Sequence, residues 1–213
     1  MTMQRAPILT ADGPGIIRTA DRIRSGGVVV YPTETVYGLG ADPFSPIAFE
    51  RIFSLKGRET EKGLILLIRG REDLDALVAD IPRAVEVLMD AFWPGPLTLV
   101  FPASPNLPNH LLGTTSTIAL RVSDAPVAGS LLHHVGGPVT STSANVSGQP
   151  PARSAREAAD VFGDRVDLIL DGGESFDARP STLVDVSGGS PKILRPGRIP
   201  DTEIDRVLNS ESV

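Results

Sequence analysis

Val28-Val29-Val30-Tyr31-Pro32-Thr33-Glu34-Thr35-Val36-Tyr37-Gly38-Leu39-Gly40 is the stretch from which the fold can be read. The apolar run 28–31 has the length and β-branched content of a buried strand. Pro32 ends regular pairing because it has no N–H to donate. Thr33, Glu34 and Thr35 then offer two hydroxyls and a carboxylate. Gly38 and Gly40 bracket Leu39 and leave the backbone free to turn and to approach a partner closely. A strand that ends in hydroxyls and glycines is a common way for α/β folds to build a ligand site. An ordinary strand-to-loop exit, with threonine as a β-former, is the plainer reading of the same residues.

On either side of this stretch, helical and strand periods are interspersed. Ile16, Ile17, Ala20 and Ile23 share one face of a helix over 14–25, which Gly26-Gly27 stops. Pro46 starts a second helix, which exits through Lys56-Gly57-Arg58. Leu64–Ile68 is a continuous apolar run and reads as a central strand. Further strands are predicted at 97–101, 117–122, 138–140, 166–170, 182–186 and 192–194, and helices at 73–78, 82–92, 126–134 and 154–162. Trp93-Pro94-Gly95-Pro96 is a rigid turn, 103–113 is a loop, and Asp201 is expected to cap a last helix to about Leu208. No repeat or long linker divides the chain, so one α/β domain over 1–213 is expected, with its motif-bearing core at about 14–200. Short turns between neighbouring strands predict a mixed sheet.

Composition limits the chemistry. The chain has 213 residues, and its 41% hydrophobic content supports an ordinary core. The formal net charge of −6 argues against a broadly basic nucleic-acid-binding surface, while leaving room for a local cationic pocket. The absence of cysteine excludes disulfides, zinc–thiolate sites and thiol nucleophiles. Residues 1–9 lack the apolar core of a signal peptide, and no run approaches the roughly 20 apolar residues of a membrane span, so a cytosolic location is expected. There is no P-loop, dinucleotide fingerprint or nucleophile elbow, and His110, His133 and His134 fit no metal or triad spacing.

What remains is a set of loops at element ends. These are 33–40, 56–58 with Lys62, the Thr117–Arg121 strand, 141–145, 180–182 and 195–197. They supply hydroxyls, an amide and cations, with no histidine or cysteine as general base. Such a set suits a polyanion, because arginine and lysine neutralise phosphate while hydroxyls and backbone N–H groups fill the remaining acceptors.

Taken together these loops resemble the YrdC/Sua5 family of threonylcarbamoyl-AMP synthases. The resemblance rests on P-T-E-T-V-Y-G-L-G at 32–40, K-G-R at 56–58, W-P-G-P-L-T at 93–98, A-L-R-V at 119–122, S-T-S-A-N-V-S-G at 141–148, S-T-L-V-D at 181–185 and L-R-P-G at 194–197. It covers about Gly27 to Gly197, fits the short, single-domain form, and implies an α/β fold with a twisted, mixed sheet, helices on both faces and a large concave site. It implies a reaction in which L-threonine, bicarbonate and ATP give threonylcarbamoyl-AMP and pyrophosphate. It also implies a separate transferase that carries the threonylcarbamoyl group to adenosine 37 of tRNA, and Mg²⁺ with the triphosphate. The family's threonine-binding positions fall on Thr33, Thr35, Arg121, Ser141 and Ser181. Its ATP-binding positions fall on Lys56, Arg58, Lys62, Thr117, Ser143, Asn145 and Arg195, with Lys56 and Arg58 as the catalytic pair. No protein metal site is implied. The long form differs at Lys62-Gly63-Leu64, at Leu67, where it carries histidine, and at Pro151. Leu67 is either a core residue or an apolar wall beside the substrate methyl group. An RNA-binding module and a carbamoyl-transfer paralogue on the same fold are the alternative functions.

Overall fold

The computed structural model describes residues 5–57, 63–112, 114–175 and 179–210. Its elements begin with β1 (Ile8–Thr10), α1 (Gly13–Arg24), β2 (Val29–Tyr31), β3 (Gly38–Gly40), α2 (Pro46–Lys56) and β4 (Ile65–Leu67). There follow α3 (Leu74–Leu77), α4 (Arg83–Phe92), β5 (Leu97–Pro102), α5 (Asn109–Leu112), β6 (Thr117–Arg121) and α6 (Pro126–Val135). The last are β7 (Val139–Thr140), β8 (Thr142–Ser143), α7 (Ala155–Phe162), β9 (Leu168–Asp171), β10 (Thr182–Asp185), β11 (Lys192–Arg195) and α8 (Asp201–Asn209).

The strands pair in a mixed pattern, as expected, but they form two sheets. One has the order β1-β9-β2-β3-β8 and the other β11-β10-β5-β6-β4-β7. In the first, β9 lies parallel between β1 and β2, and β3 runs antiparallel to β2 and β8. In the second, β10/β5 and β4/β6 are the parallel pairs.

Side-chain alternation decides where the helices go. In the first sheet, Val29, Tyr31, Leu168 and Leu170 face Ile16, Ala20 and Ile23 of α1 and Leu131 and Leu132 of α6. On its other face, Val30, Leu39 and Ile169 join Phe49 and Ile52 of α2 and Ala158 and Phe162 of α7. The second sheet is covered differently. Leu66, Leu97, Leu99, Phe101, Leu120 and Val184 pack into the same large core with Leu88 of α4 and Ile204 of α8. The alternate residues Ile65, Val100, Ala119, Arg121 and Leu183 line cavities on the opposite face. Only part of this face is open: Leu67 packs against α6, and the cavities lie beside it.

Two local expectations are corrected. Gly38 and Gly40 do not turn the chain: the reversal falls between Tyr31 and Gly38, and both glycines lie in β3. Their smallness serves close approach, since a Cβ on Gly40 would sit 2.6 Å from Tyr31 Cε1 and 2.9 Å from Tyr31 Cδ1. Asp201 is not the cap of α8: Pro200 holds that position with no side-chain cap bond, and Asp201 is the first helical residue. There, with Glu203, it meets the positive end of the helix dipole.

Tyr31 is 1% exposed, so its ring has nowhere to retreat. Gly40→Ala should therefore cost about 1–3 kcal/mol by overpacking and lower Tm by roughly 2–12 °C. Thermal unfolding checks this, and a Tm equal to that of the wild type would show that the ring yields freely.

Candidate active site

The chain passes from one sheet to the other at Ser141. On one side of it β7 pairs with β4, and on the other β8 pairs with β3. The Ser141 N–H donates to Ile65 O at 2.7 Å. Thr140 reinforces the crossing: its Oγ1 accepts from Ala41 N at 2.9 Å, and its carbonyl accepts from Tyr31 OH at 3.1 Å. Beside this seam lies a cavity of about 160 Å³, lined by Thr33, Thr35, Gly38, Ile65, Arg121, Ser141, Ser143, Ser181 and Arg195, among others.

Two guanidiniums dominate it. Arg121, at the end of β6, is 4% exposed. Its Nη1 stands 3.2 Å from Glu34 Oε1 and donates to Thr35 Oγ1 at 3.4 Å. Arg195, at the end of β11, donates through Nη2 to Ser181 O at 2.9 Å and to Ser181 Oγ at 3.2 Å. Burial and the neighbouring Arg121 charge both hold the Arg195 pKa below its usual value. The Nε of each arginine is buried without a hydrogen-bond partner. The cavity thus sets two positive charges side by side among hydroxyls, which suits an anion.

The surrounding hydroxyls are held in place. Thr33 Oγ1 donates to Val36 O at 2.7 Å and accepts from Thr35 N at 3.2 Å, so Thr33 shapes the turn as well as lining the cavity. Ser181 Oγ lies 2.7 Å from Thr98 Oγ1. Gly197 lets the chain after β11 lie against Ser181, since a Cβ there would be 2.4 Å from both Ser181 C and Thr182 N.

Other expected residues take separate places. Lys56 is 2% exposed, and its Nζ donates to Ser143 O at 2.6 Å, Asn145 Oδ1 at 2.8 Å and Asn145 O at 3.2 Å. Lys56 and Asn145 therefore brace the loop that carries Ser143 to the cavity. Thr117 lines an adjoining cavity of about 400 Å³ with Val100, Ala119, Leu183 and Asp185. Ile65 pairs with Ala119 in register, so the two cavities lie side by side on the same face of the second sheet. Arg58 and Lys62 lie outside the described residues. Leu67 is fully buried against Tyr31, Leu131 and Val139 and belongs to the core. The apolar residue of its face that reaches the cavity is Ile65.

Sequence reading missed Ile65, Thr98 and Tyr31 as parts of the site. Alternation could have found the first two, because Ile65 and Thr98 occupy the strand face that Arg121 shares. Among the described residues no group of three or more acidic or histidine side chains could hold a metal, and no helix is long and apolar enough to cross a membrane.

A mixed two-sheet α/β fold with a small, arginine-lined cavity at its seam defines a protein built to bind small anionic molecules. The Sua5/YciO/YrdC family model, described as "Telomere recombination", matches residues 21–197, and the chain belongs to this family. It is 41% identical over 186 residues to the threonylcarbamoyl-AMP synthase of Pyrococcus abyssi, covering 87% of this chain and 55% of that protein. It is 41% identical over 174 residues to the threonylcarbamoyl-AMP synthase of Coxiella burnetii, covering 81% of this chain and 92% of that protein. The crystal structure of P. abyssi Sua5 complexed with L-threonine superposes with a TM-score of 0.89 at 39% identity, over 95% of this chain and 60% of that one. The chain thus spans little more than half of the archaeal protein and nearly all of the bacterial one.

Tyr31, beneath the cavity, yields a pH prediction. Burial raises its pKa to about 12, against the opposing pull of Ser141 and Arg121. A folded pKa above the unfolded value of about 10 gives stability that is complete below pH 10 and is lost as pH climbs towards 12. The loss should approach about 1.4 kcal/mol per pH unit. Tyr37, also raised to about 12 by burial, adds its own share. Urea unfolding between pH 9 and 12 should show a shallower decline for Tyr31→Phe than for the wild type, and equal slopes would rule Tyr31 out as the titrating group.

Proposed function

We propose that the chain is an L-threonylcarbamoyladenylate synthase, which makes threonylcarbamoyl-AMP and pyrophosphate from L-threonine, bicarbonate and ATP. The observation that carries this reading is the pairing of Arg121 and Arg195 in a cavity edged by the Thr35, Ser141 and Ser181 hydroxyls. At about 160 Å³ it falls below the roughly 300–1,000 Å³ of sites for drug-sized ligands and suits an amino acid. The adjoining cavity of about 400 Å³ has the size for part of a nucleotide.

On this reading Arg121 holds the threonine carboxylate, and Thr33, Thr35, Ser141 and Ser181 orient its polar groups. The amine attacks the carbon of bicarbonate. The N–C bond forms, water leaves, and the product is a carbamate whose oxygen is already a nucleophile. That oxygen then attacks the α-phosphorus of ATP, and the bond to the bridging oxygen breaks to release pyrophosphate. No strong protein base is required for this second step. Arg195, Arg58 and Lys62 balance the charge that gathers on the leaving pyrophosphate. Lys56 works with Arg58 by fixing the loop of Ser143 and Asn145 against the nucleotide, and Thr117 meets its far end. Mg²⁺ would accompany the triphosphate and help neutralise its charge. The product passes to a separate tRNA threonylcarbamoyl transferase in the cytoplasm. The net charge of −6 disfavours tight tRNA binding by this chain alone.

Purified protein should release pyrophosphate from ATP only when bicarbonate and L-threonine are both present, with the product identified by mass. Release driven by a different amino acid would favour the carbamoyl-transfer paralogue, and tRNA binding without turnover would favour the RNA module. Arg121→Lys keeps the charge but loses the planar fork. It should raise the threonine KM by roughly ten- to a hundredfold, the range of a charged hydrogen bond, and leave the ATP KM nearly constant. Equal changes in both would make Arg121 a structural residue.

A further inference from the structure

Glu34 is the one group of the 33–35 turn that the reaction above does not use. Its side chain is 7% exposed and is absent from the lining of the cavity, so it stands behind Arg121 and not beside a substrate. Oε1 lies 3.2 Å from Arg121 Nη1 but makes no hydrogen bond, so the contact is one of charge. Oε2 accepts from the Ser123 hydroxyl, and the Glu34 carbonyl accepts from Arg198 Nη1 at 2.8 Å. The carboxylate is therefore held from β6's exit, and its backbone from the segment that follows β11. Arg121 is gripped through Nη1 by Glu34 and Thr35, and the same side chain lines the cavity.

Two like charges repel, and each guanidinium here is poorly solvated. Without a counter-charge behind it, Arg121 keeps only the long Thr35 hydrogen bond to set its orientation. We propose that Glu34 is a positioning residue: its buried carboxylate fixes the Arg121 guanidinium in the cavity wall where it meets the substrate carboxylate, and so sets affinity for the amino acid but not for the nucleotide. The role rests on the reading of threonine as the substrate.

A pure charge effect has the opposite sign to positioning. Removing the carboxylate makes the cavity more positive and would tighten an anion, whereas losing orientation weakens it. Glu34→Gln keeps size and the acceptor for Ser123 and removes the charge. Calorimetric titration should show L-threonine binding at least tenfold weaker in Glu34→Gln, with ATP binding within about twofold of the wild type. The wild type should prefer L-threonine to L-threoninamide, and that preference should shrink in the variant, which a merely structural residue would not produce. In an Arg121→Lys background the Glu34→Gln change should add little, because the two act through one group. Glu34→Asp, with the charge kept but drawn back, should fall between; it also serves if the glutamine variant does not fold. Unchanged or tighter threonine binding, an equal loss for ATP, or a full additive loss in the Arg121→Lys background overturns the role. Wild-type protein that binds no threonine would overturn the functional reading and this role with it.

Discussion

The crossing of the chain between two sheets at Ser141 is the constraint on which the site depends. Five residues, Val139 to Ser143, serve as an edge for both sheets. The crossing is held by three hydrogen bonds: Ser141 N on Ile65 O, Ala41 N on Thr140 Oγ1, Tyr31 OH on Thr140 O. Buried backbone groups must be satisfied somewhere, and here that requirement sews the sheets together. It also explains the glycines of β3. The Tyr31 ring has to lie over Gly40 for its hydroxyl to reach the seam, and a side chain at that point would push it away.

The seam creates a charge problem as well as a cavity. The sheet face that carries the cavities ends in Arg121, which is buried, and Arg195, which is half-buried. Burying charge is costly unless it is paired and hydrogen-bonded. The molecule meets that cost unevenly. Arg121 has a carboxylate behind it, while Arg195 leans on Ser181, whose hydroxyl is in turn shared with Thr98. What is left over is positive, and that excess selects the ligand class. The lysine of the K-G-R motif has its ammonium on Ser143 and Asn145. It contributes to the site by holding a loop still.

Much of this was legible in the sequence, and the rest was not, for identifiable reasons. The long apolar runs at Val28–Tyr31 and Leu64–Ile68 announced central strands because both faces are buried there. The strands β1, β3 and β8 have three, three and two residues and no hydrophobic period, so only their partners make them strands. Leu67 could be core or substrate wall from its period alone, since Ile65 shares its face. The seam decides between them: it buries Leu67 against Tyr31 and leaves Ile65 at the cavity.

By itself, the sequence determined the α/β class, the hydroxyl and cation loops, and the family to which they point, because each is written in local residue types and spacings. Only the tertiary structure decided which of those loops meet. Arg121 and Thr35 are 86 residues apart, Thr98 and Ser181 are 83 apart, and Lys56 and Ser143 are 87 apart. Contacts at such separations follow from how the sheets pair and where their faces are covered. A local period carries no record of that, because it says which face a side chain takes but not what lies opposite.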